Sequence, residues 1–362
     1  MTPLSRWAAT GLAGALLIAS PHVPRLLPVD DPPTDAATLL ALAQNSTDLG
    51  FSGYVESQGD LDLPVTESFS ELADLLVDRT RMRVWWTSPD RWRVDTLEAT
   101  GESDLVHNAR GTLVWDYERN EASVSFEPRV RLPRASDLLP NELARHLLTG
   151  TTPAEVTRIP AVRVAGLDAP GIRLEPAARQ SSIDHADIWV DPVGGLPVRV
   201  AVYGDGDEDP SLTTQFLDLD MRPPAPQRSR FSTPPGAERF HEAAVDIADA
   251  ADRYAPTRTP ARLGGLDRRA GSGHAVRTYG YGATVLFALP LQEKVATPLR
   301  DQLAVNARTR TGPAGSALDV GPINVLVTPA HLDRPSWLLA GTVNPQTLRR
   351  AAHRVDVPVA GG

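Results

Sequence analysis

The sequence predicts an α+β fold: an antiparallel meander with one apolar, concave face, followed by a small separate α+β domain. Three observations carry this. From Arg91 to Val202 short segments alternate apolar and polar residues between turn signals, the period of half-buried strands. That stretch closes on Asp187-Ile-Trp-Val-Asp-Pro-Val-Gly-Gly-Leu-Pro-Val-Arg-Val200, which reads as strand, tight turn and strand. Beyond Thr257 to Ala261 the pattern changes, with four further strands ahead of a terminal helix.

The N-terminus has Arg6 followed by 13 uncharged, mostly apolar residues from Trp7 to Ala19, the n-region and h-region of an export signal. As a helix the run reaches about 20 Å against a hydrocarbon core of about 30 Å. Cleavage near Ala19 and a retained membrane anchor both stay open. Five prolines between Pro21 and Pro33 form a tether, so residues 1–33 are leader or anchor plus tether.

Thr34 is expected to cap a helix carrying Ala36, Leu39, Leu40 and Ala43. Phe51 to Gln58 is a first strand, and Ser68-Phe-Ser-Glu71 is a capping box opening a second helix with Phe69, Leu72, Leu75 and Leu76 on one side. Arg81 to Trp86, Arg91 to Leu97, Ser103 to His107, Thr112 to Tyr117 and Ala122 to Phe126 follow as a meander. A helix from Asn141 to Thr149 interrupts it, with Gly150 as its stop, and must cross a face of the sheet. Strands resume at Ala161 to Val164, Ile172 to Glu175, Asp187 to Asp191, Leu196 to Tyr203 and Leu212 to Met221. In the final domain the strands are Ala275 to Tyr279, Thr284 to Leu291, Ile323 to Thr328 and Trp337 to Val343. Asn344-Pro345 opens the last helix, and Glu293 to Ala304 forms another despite Pro298. The boundaries are residues 34–242 for the first domain, 243–260 for a linker and 261–357 for the second.

Composition excludes several functions. A net charge of -9 with no Lys/Arg cluster argues against nucleic acid as a partner. The absence of cysteine removes lipidation at a lipobox, disulfides and thiolate chemistry. The eight histidines show no metal-ligand spacing, and Asp205-Gly-Asp-Glu-Asp209 has Pro210 where a calcium loop needs glycine. No phosphate loop, dinucleotide fingerprint or nucleophile elbow is present. The chain reads as a non-enzyme without a cofactor; a hydrolase would need a Ser/His/Asp set that the sequence does not offer.

The meander's apolar face is the constellation that points to function. Alternation sets Met82, Val84 and Trp86 against Arg81 and Arg83, Trp92 and Val94 against Arg91, Arg93 and Asp95, and Leu113, Trp115 and Tyr117 against Asp116. These side chains either pack as core beneath the helices or exceed what three short helices cover and so line a groove. On the groove reading, the ligand-binding residues are Val84, Trp86, Trp92, Val94, Leu113, Trp115, Tyr117, Phe126, Leu143, Leu147, Ile188, Val190, Val198 and Val200.

Phe51-Ser-Gly-Tyr-Val, Asp90-Arg-Trp-Arg-Val-Asp95, Gly111-Thr-Leu-Val-Trp-Asp-Tyr117 and Trp189-Val-Asp-Pro-Val-Gly-Gly-Leu-Pro-Val198, in that order, resemble the LolA-like lipoprotein-carrier superfamily over residues 35 to 240. Tyr279-Gly-Tyr-Gly-Ala-Thr-Val-Leu-Phe287 and the segment from Leu338 to Val355 are similar to the C-terminal domain of the MucB/RseB family. The resemblance implies a half-open antiparallel barrel lidded by helices and holding lipid or lipoprotein acyl chains, with a second domain helping to contact a single-pass anti-sigma factor. Two functions are expected on that basis. One is an extracytoplasmic carrier or envelope sensor holding acyl chains in the N-terminal half-barrel. The other is a regulator that binds a membrane anti-sigma factor to control an extracytoplasmic-function sigma factor, with lipid as trigger.

Overall fold

A computed structural model describes residues 28–61, 75–77, 79–97, 101–125, 131–231, 236–241, 251, 259–270, 276–331 and 334–355. The segment expected as leader or anchor (residues 7–19), the capping box expected at Ser68, Phe126 and most of the linker expected at 243–260 lie outside the described residues.

The chain enters through helix α1 (Ala36–Gln44), whose N-cap is Asp35 rather than Thr34: its carboxylate accepts from the Thr38 backbone N–H at 2.9 Å. An aspartate fits the role because its short carboxylate reaches the free N–H groups of the first turn. Strand β1 (Phe51–Gly59) follows, then a meander of β2 (Arg79–Ser88), β3 (Arg91–Leu97), β4 (Glu102–Asn108), β5 (Gly111–Asp116) and β6 (Glu121–Ser125). After α2 (Pro140–Leu147) a second meander runs through β7 (Val156–Val164), β8 (Leu167–Leu174), β9 (Ile183–Val190), β10 (Pro197–Gly204) and β11 (Leu212–Asp220), and β12 (Glu238–His241) pairs parallel to β6.

These strands make one sheet in the order β12-β6-β5-β4-β3-β2-β1-β11-β10-β9-β8-β7. The two meanders flank β1, and its two end strands, β12 and β7, do not pair, so the sheet is open. The connection carrying α2 takes the chain from one flank of the sheet to the opposite edge. It does so over the apolar face, as the mid-meander position of that helix requires. Leu39, Leu40 and Ala43 of α1, with Leu138, Leu139, Ala144, Leu147 and Leu148 around α2, pack there against Phe51, Val55, Met82 and Phe216 in one core cluster.

The turn in Asp191-Pro-Val-Gly-Gly-Leu-Pro197 fixes α1 on that face. Gly195 has φ +75°, and a Cβ there would stand 2.6 Å from the Leu42 carbonyl oxygen, closer than any side chain tolerates. Only glycine allows both the left-handed turn and the close approach of the helix.

A hairpin of β13 (Arg262–Leu263) and β14 (Leu266–Asp267) precedes a second sheet: β15 (Arg277–Tyr281), β16 (Thr284–Leu291), β17 (Arg310–Gly312), β18 (Gly315–Val320), β19 (Ile323–Val327) and β20 (Ser336–Gly341), in the order β15-β16-β20-β19-β18-β17. Helix α3 (Glu293–Val305) runs through Pro298, and α4 (Pro345–Ala352) is capped by Asn344. Strands β17 and β18 were not expected from the sequence: β17 is exposed throughout, and it has no alternation to read.

The two sheets touch. The Asn344 N–H donates to the Gln180 carbonyl at 2.8 Å, and the Ser182 hydroxyl donates to the Pro322 carbonyl at 2.6 Å. Ala283, at the turn between β15 and β16, is buried in the core of the first sheet.

Candidate functional site

Cross-strand register decides which side chains share a face, because directly opposed residues point the same way. On the face under the helices, Phe51, Trp86, Trp92, His107 and Thr112 oppose one another in turn across β1 to β5. The rings form a stacked ladder: Phe51 to Trp86 at 6.0 Å, Trp86 to Trp92 at 5.8 Å and Trp92 to His107 at 5.2 Å between centroids. Phe216 meets Phe51 edge-on at 5.5 Å. The Trp92 indole N–H donates to the Pro89 carbonyl at 3.1 Å, and the Arg134 guanidinium lies 5.5 Å from its ring. Offset stacks and edge contacts of this kind add to the burial of each ring.

Of the residues expected to bind a ligand, the structure brings Val84, Trp86, Trp92, Val94, Leu147, Ile188, Val190, Val198 and Val200 together in this one buried cluster, with half-buried Leu143 against it. Leu113 and Trp115 are elsewhere. Leu113 opposes Val106, and Trp115 opposes Asp104, both on the other face, where Phe231 covers Trp115 at 5.3 Å. Tyr117 lies past the end of β5 and is 69% exposed. Two of the large side chains expected on the helix-covered face, Leu113 and Trp115, therefore belong to the opposite face.

The opposite, outer face has its own order. Asp218, Tyr54, Arg83, Asp95, Asp104 and Trp115 oppose one another across β11, β1, β2, β3, β4 and β5. Asp95 and Asp104 are buried, and both are held by Arg93, which donates to Asp95 at 2.5 and 2.9 Å and to Asp104 at 2.7 Å. The same guanidinium stands 5.4 Å from the Trp85 ring. One arginine does not neutralise two buried carboxylates. Burial, with the charge of Asp95 behind it, pushes the Asp104 carboxyl up to about 7. The second Asp104 oxygen is buried without a partner.

Asp95, Glu102 and Asp104 offer oxygens within 4.8 Å of one another, a donor set of the type that holds a hard cation. Arg93 already supplies the positive charge there.

Beside this network the outer face opens into a cavity of about 800 Å3. Its walls are Tyr54, Arg83, Trp85 and Leu97 from the sheet, Asp218 and Asp220 from β11, and the turn from Arg222 to Ala225 with Arg228. Arg222 is engaged by Asp220 at 2.7 Å, which holds the Asp220 carboxyl down at about 2. This site was not expected from the sequence, where Arg83 read only as the polar side of a strand. The proline-rich segment after β11, which turns back over the sheet instead of leaving it, was the available signal.

No protein-family model and no curated protein matches this chain. Among solved structures it is similar to MucB in complex with MucA(peri), at 16% identity over 88% of this chain and 97% of that one, with a TM-score of 0.48. The Pseudomonas aeruginosa MucA/MucB complex is similar at 15% identity, over 87% and 96%, with a TM-score of 0.47. A LolA superfamily protein from Nitrosomonas europaea is similar at 13% identity over 55% of this chain and 98% of its own, with a TM-score of 0.24. The two families that the sequence motifs resemble are both among these neighbours. Among the described residues no helix is long and apolar enough to cross a membrane.

Proposed function

We propose that this chain is an extracytoplasmic binding protein, not an enzyme, whose output is contact with a single-pass anti-sigma factor and whose trigger is lipid. One observation carries the preference for this reading over that of a lipid carrier. The aromatic ladder on the helix-covered face is packed, while the open cavity lies on the outer face with arginines and aspartates in its wall. A cavity of mixed polarity suits a peptide better than an acyl chain, which leaves buried charges unsatisfied.

Lipid has a place in the same scheme. An acyl chain laid along Trp86 and Trp92 takes the position of Leu139, Leu147 and Leu148, so apolar burial gained by the lipid is offset by burial lost around α2. A ligand with that balance shifts a conformational equilibrium rather than filling a standing cavity. Helix α2 and its flanking turns act as the lid of a half-barrel in this account. The N-terminal segment exports the chain or holds it at the membrane, on the same side as the anti-sigma factor's exposed segment.

The reading is tested by expressing the full-length chain with an affinity tag in its own host, crosslinking intact cells and identifying what co-purifies from solubilised membranes. Recovery of one single-pass membrane protein whose cytoplasmic part binds a sigma factor is the expected result. Recovery of acylated lipoproteins in its place would favour the carrier.

A further inference from the structure

We infer that the outer-face cavity is the seat of an acidic, extended peptide segment, held by Arg83 and Arg228; this rests on the regulatory reading for its partner but not for its chemistry. Three observations lead to it. The first is that neither guanidinium has an ion pair or a side-chain hydrogen bond among the described residues, although both line one cavity. Arg222, in the same wall, is by contrast taken by Asp220.

The second observation explains why Arg83 has no ion pair among the described residues. Its cross-strand neighbour is Asp95, the natural partner for it on that face. Both Asp95 oxygens are taken by Arg93, which reaches them from two residues along the same strand. Arg93 thus occupies both Asp95 oxygens and leaves Arg83 directed at the cavity. The third is the contrast with the whole chain: among the described residues Arg83 and Arg228 outnumber the one unpaired carboxylate of this cavity, Asp218, and leave it net positive in a protein of net charge -9.

The walls also define what lies between the charges. Trp85 and Leu97 supply apolar surface beside the guanidinia, and Asp218 and the Tyr54 hydroxyl supply an acceptor and a second polar group. An extended peptide presents alternate side chains to alternate sides, so carboxylates spaced by apolar residues match such walls. A phospholipid with one phosphate brings one anion for two guanidinia, and its acyl chains offer no donor to Asp218 or the Tyr54 hydroxyl. Arginine engages carboxylates with two parallel hydrogen bonds, which gives direction as well as charge.

The test uses the full-length chain and a fluorescent acetyl-Glu-Leu-Glu-Leu-Glu-amide probe, with the glutamine-for-glutamate peptide and phosphatidylglycerol vesicles as comparisons, read by anisotropy and by flotation. The expected result is saturable binding of the acidic peptide, with Kd below about 1 mM. Binding weakens about tenfold for Arg83→Gln and again for Arg228→Gln, as loss of a charged hydrogen bond predicts, and it falls with added salt. Both arginines are exposed, so the variants keep their thermal unfolding midpoint. Equal binding of the glutamine peptide, equal binding by the double variant, or vesicle binding without peptide binding overturns the inference. Membrane capture separates it from the functional proposal. An anti-sigma protein still captured by the Arg83→Gln, Arg228→Gln chain removes this seat and keeps that function; peptide binding without any such capture does the reverse.

Discussion

Gly282, in the turn between β15 and β16, sits against the end of α2: a Cβ placed on it would stand 2.8 Å from the Leu147 carbonyl oxygen and 2.6 Å from that of Thr149. Its φ of +57° also belongs to the left-handed region. The Tyr279 to Phe287 motif therefore places its turn on the helix that covers the aromatic ladder. Gly282→Val strains the backbone and separates the two surfaces. The expected cost is about 2 to 4 kcal/mol, measured by urea unfolding, with faster hydrogen exchange in α2 than in α4.

A second contact between the sheets runs through Asn344, which caps α4 through the Thr347 N–H at 2.9 Å and donates its side-chain amide to the Arg179 carbonyl at 2.9 Å. Asn344→Ala removes both and should cost about 1 to 2 kcal/mol. Asn344→Ser restores the cap alone, so thermal unfolding of the two variants separates the capping contribution from the contact between sheets.

Asp104 gives the fold a pH dependence of unusual sign. Its carboxyl is raised from 3.8 to about 7 in the folded chain, so between those values the folded state holds a proton that the unfolded state has released. Stability from this group therefore falls as pH rises through that window, and its full cost is present above about pH 7. Asp104→Asn should stabilise the protein by about 1 to 3 kcal/mol at pH 8 and leave it little changed at pH 4. Chemical denaturation across that range is the measurement.

Burial predicts different outcomes for residues that look alike in the sequence. Trp86→Ala leaves a void in the ladder and should cost about 3 to 5 kcal/mol. Tyr117→Ala, at an exposed position, should stay within about 0.5 kcal/mol. Equal losses in thermal unfolding would contradict the burial of Trp86 and the exposure of Tyr117.

Most strands were legible because alternation is a direct physical consequence of a half-buried sheet: β3 spans Arg91–Leu97 as read, and β16 spans Thr284–Leu291. Hydrophobicity alone assigns Trp115 of β5 to the helix-covered side, whereas Phe231 covers it on the outer face. Register held the answer. Asn108 opposes Gly111 across a two-residue turn, which forces His107 opposite Thr112 and sends Val114, not Trp115, to the side of Trp92. The outer cavity was not legible, since its far wall comes from a segment about 140 residues away in sequence from Arg83, and local periodicity carries no such information.

Trp85 and Trp86 are adjacent on β2 and point to opposite faces, which makes them the most direct probe of the central claim. A photo-reactive phenylalanine analogue placed at either position, in the full-length chain in living cells, reports what each face touches. The expected result is a crosslink from position 85 to a single-pass membrane protein, and from position 86 only internal crosslinks to residues around α2 until lipid is supplied. Crosslinks to lipid or lipoprotein from position 86 under resting conditions, with none from position 85, would contradict it.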